Sequence, residues 1–158
     1  MKNSDSKNDK VVKILNDLIE TNLDRIKGYE TAAGDSDDME IKNLCNSYAS
    51  QSRGFKVALD TMVRELGGKP QESSSAMGAV YRAWMGVKHT ASDSKKSVLS
   101  SCEFGEDAAV KSYEDALDND DVPQTVVSLI ESQYREVVKA HDKVKSMRDS
   151  VVEQKSSH

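Results

Sequence analysis

Proline and aromatic residues are scarce in this sequence and cysteine is nearly absent: of 158 residues, two are Pro, two are Cys and 5% are aromatic. Proline lacks a backbone donor and clashes with the preceding turn, so its scarcity leaves long stretches free to stay helical. Few aromatics, set among many Lys, Glu, Asp, Ser and Ala, disfavour a β-sandwich and suit amphipathic helices with solvated outer faces. Cys45 and Cys102 stand far apart with no Cys-x-x-Cys, so a disulfide framework is excluded and two free, buried thiols are expected. The chain is long enough to bury a core as one domain without such staples.

Long hydrophobic runs are missing too. None approaches the roughly 18–20 residues that span a bilayer, and the polar stretch Met1 to Lys10 lacks the apolar segment of a secretory signal. No membrane span and a cytoplasmic location are therefore expected. The net charge is −5, with Lys and Arg interspersed among acids in every segment. Without a basic stripe, nucleic acid is not an expected partner. There is no Gly-rich phosphate loop and no recognisable base beside Cys102, so nothing points to nucleophilic catalysis.

What is present is helical periodicity. Val11, Val12, Leu15, Leu18, Ile19, Leu23, Ile26, Tyr29 and Ala33 form one stripe and predict a helix over 9–33, with Gly34 as a left-handed stop. Asp37 and Glu40 read as a capping box opening a second helix. Its apolar face runs from Ile41 to Leu66, and Gly67-Gly68-Lys69-Pro70 ends it. A connection over 68–94 is too long to be structureless in a compact domain. Met77, Val80, Tyr81, Trp84, Met85 and Val87 predict a short helix over 75–88 within it. A third long helix covers 95–117. Asp121 and Gln124, with Pro123 in the first turn, open a fourth that carries Val126, Ile130, Tyr134, Val137, His141 and Val144. The organisation expected is a domain over 9–150, with flexible tails at 1–8 and 151–158.

The two hairpins resemble each other. Tyr29-Glu30-Thr31-Ala32 closes the first helix and Tyr113-Glu114-Asp115-Ala116 the third; Tyr48 precedes Phe55 by the same two turns that separate Tyr134 from His141. Two short hairpins joined by one long crossover make the second and third long helices parallel. The fold class expected is all-α: a ferritin-like four-helix bundle whose one long crossover contains a short extra helix.

The runs Leu15-Asn16-Asp17-Leu18-Ile19-Glu20-Thr21, Arg64-Glu65-Leu66-Gly67-Gly68, Cys102-Glu103-Phe104-Gly105-Glu106-Asp107-Ala108-Ala109, Gln133-Tyr134-Arg135-Glu136 and Ala140-His141-Asp142 are similar to those of a family of small bacterial four-helix-bundle proteins of unknown function, ferritin-like in superfamily and rubrerythrin-like in topology. The resemblance implies that fold and a stress-associated role. Ferritin-like di-iron proteins draw one Glu from each of two helices and Glu-x-x-His from each of the others, because carboxylates bridge and neutralise the irons while imidazole completes each sphere. Placed by the tyrosines, those positions hold Asn22, Glu106, Ser52 with Phe55, and Val138 with His141. Only Glu106 and His141 keep ligand chemistry, and no Glu-x-x-His occurs in the chain.

The expectation is therefore a non-catalytic structural or interaction protein with a degenerate di-iron site and no cofactor. The alternative is a metal-binding or redox protein using iron or zinc at Glu106 and His141. Without metal, those two residues are expected to share a buried hydrogen bond. The four tyrosines at 29, 48, 113 and 134 read as core residues rather than radical relays. The acidic turns read as helix caps, lacking the Gly and spaced Glu of a calcium loop. On the crossover helix Tyr81, Trp84 and Met85 are candidate partner-binding residues to the extent that packing leaves them exposed. A homodimer or an unidentified protein partner is expected there or between the faces of long helices.

Overall fold

The computed structural model describes residues 2–73, 79–85 and 94–156, with side chains over 6–73, 80–84 and 95–151. Its elements are all helical: α1 (Lys2–Asp35), α2 (Met39–Glu65), α3 (Ala79–Met85), α4 (Ser94–Leu117) and α5 (Gln124–Ser156). None of the described helices is long and apolar enough to cross a membrane. Helix α1 starts well before Asp9, and α5 continues past Val151. Only the middle of the helix expected over 75–88 is described, as α3; Met77 and Val87 lie outside the described residues.

Helix ends differ from expectation by a residue or two, for local reasons. Gly34 lies inside α1, and among the described glycines only Gly67 has positive φ, at 81°. There Gly67 N donates to Arg64 O and Gly68 N to Val63 O, both at 2.9 Å, covering carbonyls that the end of α2 would leave bare. The cap of α2 is Asp38, not Asp37: its Oδ1 accepts from Ile41 N at 3.0 Å. Pro123 sits just before α5, its carbonyl accepting from Val127 N, and Gln124 reaches Ser128 rather than Asp121. The second capping box is therefore not formed.

Asp38 also meets Lys95 at the start of α4, Oδ2 to Nζ at 2.9 Å. That bond first, and the amide of Ile41 second, hold its carboxyl below the ordinary 3.8. A depressed carboxylate contributes stability above its unfolded value and loses it as pH falls through the folded one. Asp38→Ala should destabilise the protein by about 1 kcal/mol at neutral pH. In thermal melts taken down to acid, the gap to wild type should close below the ordinary carboxylate range; a gap that persists in strong acid would remove the cap from the explanation.

The interior follows a seven-residue rhythm. Leu15, Leu18, Asn22, Arg25, Tyr29 and Ala32 are buried on α1, and Leu99, Cys102, Glu106, Ala109, Tyr113 and Ala116 on α4. Alternating steps of three and four keep one helix face turned to its neighbours. Contacts between Ala33 and Lys42 and between Arg25 and Ser52 make α1 and α2 antiparallel. Arg25–Glu106 and Asn22–Tyr113 do the same for α1 and α4, and Glu103–Arg148, Asp107–His141 and Tyr113–Gln133 for α4 and α5. It follows that α2 and α4 run in the same direction, as a long crossover requires. The chain leaving α2 is held to α1 by Asn16, whose Nδ2 donates to Lys69 O at 3.1 Å and whose Oδ1 accepts from Gln71 N at 2.7 Å.

The short helix α3 packs on α1 and α4. Trp84 is 2% exposed, and its ring meets that of Tyr29 edge-on with centroids 4.6 Å apart. Mid-helix glycines make its slot. A Cβ added at Gly28 would lie 2.3 Å from the indole, and one at Gly105 1.9 Å from it. Both helices thus accept a weaker position so that the crossover can seat a large ring.

Candidate functional site

In the middle of the interior lies a charge. Arg25 stands seven residues after Leu18 and seven before Ala32, so α1 aims it inward, and its side chain is wholly buried. Arg25 Nε donates to Glu106 Oε1 at 2.7 Å and Nη2 to Glu106 Oε2 at 2.9 Å, a two-pronged pairing that suits a planar guanidinium. Nη1 donates to Ser52 Oγ at 2.6 Å, and Nη2 also to Gln51 Oε1 at 3.3 Å. The guanidinium carbon lies 5.5 Å from the Tyr29 ring centroid. Burial works against the charge on Arg25, but the adjacent Glu106, through its charge and its hydrogen bond, more than reverses this and holds Arg25 above its ordinary value. Burial and then the charge of Glu106 push the Tyr29 phenol well up.

A second polar chain crosses the interior one layer away. Asn22 Nδ2 donates to Leu18 O and to the Tyr113 hydroxyl, both at 2.9 Å. The hydroxyl donates to Gln133 Oε1 at 2.7 Å, and Gln133 Nε2 to Phe55 O at 3.2 Å. This one chain touches all four long helices. Burial pushes the Tyr113 phenol up to about 12, so it stays a neutral donor across the physiological range.

The expected bond between Glu106 and His141 does not form. Both Glu106 oxygens face Arg25. His141 instead lies on the half-buried seam of α4 and α5, Nε2 at 2.6 Å from Asp107 Oδ1 and Nδ1 at 3.2 Å from Asp142 Oδ1. Burial lowers its pKa, but the hydrogen bonds of Asp142 and Asp107 prevail and hold it above the ordinary value. The cause of the misplacement is register. Buried Ile41, Cys45, Ser52 and Leu59 on α2 correspond to Val126, Ile130, Val137 and Val144 on α5. That spacing is one residue shorter than the one relating Tyr48 to Tyr134 and Phe55 to His141, and one residue turns a helical side chain by about 100°. Asn22 and Ser52 do lie in the interior, while Phe55 and Val138 are half-buried.

The crossover residues are corrected in the same way. Trp84 belongs to the packed face and is closed to a partner. Tyr81 is half-buried beneath Lys27, whose Nζ lies 5.0 Å from its ring centroid; the side chain of Met85 lies outside the described residues. Cys45 and Cys102 do meet. Both thiols are free and buried, and the neighbouring Cys45 together with burial pushes the Cys102 thiol well above its ordinary value.

Sequence reasoning missed Arg25, which the heptad spacing from Leu18 and Ala32 could have found. It also missed Gly28 and Gly105, where a mid-helix glycine signals close approach. Chemically, the centre is a neutralised ion pair, since the Arg25 guanidinium occupies both oxygens of the buried Glu106. A search of curated proteins finds no match. Residues 10–119, from α1 through α4, match the family model described as a domain of unknown function, DUF2383, and the chain belongs to that family.

Proposed function

We propose that this protein is a non-catalytic member of the ferritin-like fold, a structural or interaction module in which a guanidinium sits where di-iron proteins of that fold hold metal. The observation that carries the reading is the Arg25–Glu106 pair, 0% exposed on both sides. A fixed cation there compensates the buried carboxylate as an iron would, without an exchangeable coordination position or a redox couple. Helix directions agree with the one-crossover topology of ferritin-like bundles. A centre shared by Glu106 and His141 has no support, because both Glu106 oxygens face Arg25 in the interior while the His141 ring faces Asp107 on the α4–α5 seam.

Such a module works through its surface. Met39, Val57 and Phe104 are its large exposed apolar side chains among the described residues, and a second copy of the chain is the partner this reading expects. Light scattering should give a dimer; a monomer at all concentrations would remove that part. The non-catalytic part is tested by adding Fe²⁺ aerobically and following its oxidation. Oxidation at the buffer rate is expected with wild type and with Arg25→Gln alike. A protein-dependent rate abolished in Glu106→Ala would overturn the reading.

A further inference from the structure

We propose that Glu103, Asp107 and His141 form a binding site for a first-row divalent cation on the α4–α5 seam, separate from the interior ion pair. One ligand atom from each residue can be chosen so that all lie within 4.8 Å of one another. Glu103 and Asp107 are one turn apart on α4, so both carboxylates stand on the same stripe of a rigid helix. His141 reaches the same point from α5. One imidazole and two carboxylates suit zinc, manganese or ferrous iron better than calcium or magnesium, which favour oxygen alone.

The surroundings fit a cation more closely than a simple ion pair does. Among the described residues, the carboxylates of Glu103, Asp107, Asp142 and Asp149 make their ion pairs with one guanidinium and one imidazole. Arg148 Nη1 lies 2.5 Å from Glu103 Oε2 while its Nη2 bonds Asp149, so its single charge is divided. The side chains of Glu103 and His141 are 14% and 20% exposed, which limits water's competition for them. Asp107 is 54% exposed, leaving a route for the ion and for waters that complete its sphere. Asp142 sits on the Nδ1 side of the ring. With Nδ1–H donated to Asp142, Nε2 is the nitrogen turned to the two α4 carboxylates, the orienting arrangement that metal-binding histidines commonly use. On binding, the cation takes the place of the Nε2 proton, which leaves to solvent.

The guanidinium of Arg148 is the competitor, and this supplies a test with two opposite signs. Mn²⁺ is titrated into ¹⁵N-labelled, metal-free full-length protein, and the paramagnetic broadening of amide signals is followed. Broadening centred on residues 103, 107, 141 and 142 is expected. His141→Ala should weaken binding by about tenfold or more. Arg148→Gln, which removes a nearby positive charge, should tighten it by about tenfold. Both variants keep the interior intact, and circular dichroism verifies their folding. No broadening at millimolar Mn²⁺, broadening centred elsewhere, unchanged affinity in His141→Ala, or no tightening in Arg148→Gln would each overturn the site. Broadening centred on Asn22, Arg25 and Ser52 would in addition overturn the proposed function, whereas absence of binding leaves that function standing.

Discussion

Arg25→Met alone should cost about 3–5 kcal/mol of stability, and Glu106→Leu alone a similar amount, yet the two together should leave the protein within about 2 kcal/mol of wild type or above it. Each single change strands a charge that is wholly buried. Among the described residues Glu106 is paired with no other cation, and Arg25 without Glu106 keeps its hydrogen bonds to Ser52 and Gln51 and its place beside the Tyr29 ring. The double variant removes both charges and fills the space with apolar atoms, so neither desolvation penalty remains. Ser52 then loses one donor, a deficit of about 1 kcal/mol. Urea unfolding of the four proteins at neutral pH measures the cycle. Additive losses in the double variant would mean that the pair is not the electrostatic unit described, and two neutral singles would mean that water reaches it.

Gly105→Ala should destabilise the protein although alanine is the better helix former by about 1 kcal/mol. The added methyl would stand 1.9 Å from the indole of Trp84, and forcing that ring out of its slot should cost about 1–3 kcal/mol net. Trp84→Ala should lose about 3–5 kcal/mol, because a fully seated ring leaves its contacts with Tyr29 and the α1–α4 groove. Made in the Trp84→Ala background, Gly105→Ala should turn neutral or stabilising, as the methyl enters space the ring has left. The change of sign is the informative result, read from melting temperatures of the three variants. If Gly105→Ala destabilises equally in both backgrounds, the ring is not what the glycine accommodates.

The helical character, the long elements and the crossover were legible because apolar side chains recur at helical spacing from Val11 to Val144. Glu106 was legible as an interior acid, since counting from Tyr113 locates a heptad position without knowing the neighbour. Its partner was not, because reading α1 for apolar residues passes over Arg25 and Asn22, which occupy the same face. A buried charge is invisible to a hydrophobic pattern until the opposing helix supplies its counterpart. His141 was misplaced for a different reason: two tyrosines used as matching anchors are related by one residue more than the buried faces of α2 and α5. Trp84 shows the limit of local reading in its plainest form. Its role depends on Gly28 and Gly105, which lie far from it in sequence and meet only when α1 and α4 pack.

At the middle of the protein the Arg25 guanidinium neutralises the Glu106 carboxylate. The Nε–H proton of Arg25 reports on this directly by nuclear magnetic resonance. A separate Arg25 Nε–H signal that exchanges slowly with water at neutral pH is expected, and it should persist when diamagnetic Zn²⁺ is added or a chelator is present. A signal that exchanges as fast as those of surface arginines, or that is lost when Zn²⁺ is added, would mean that the guanidinium is not the fixed partner of Glu106.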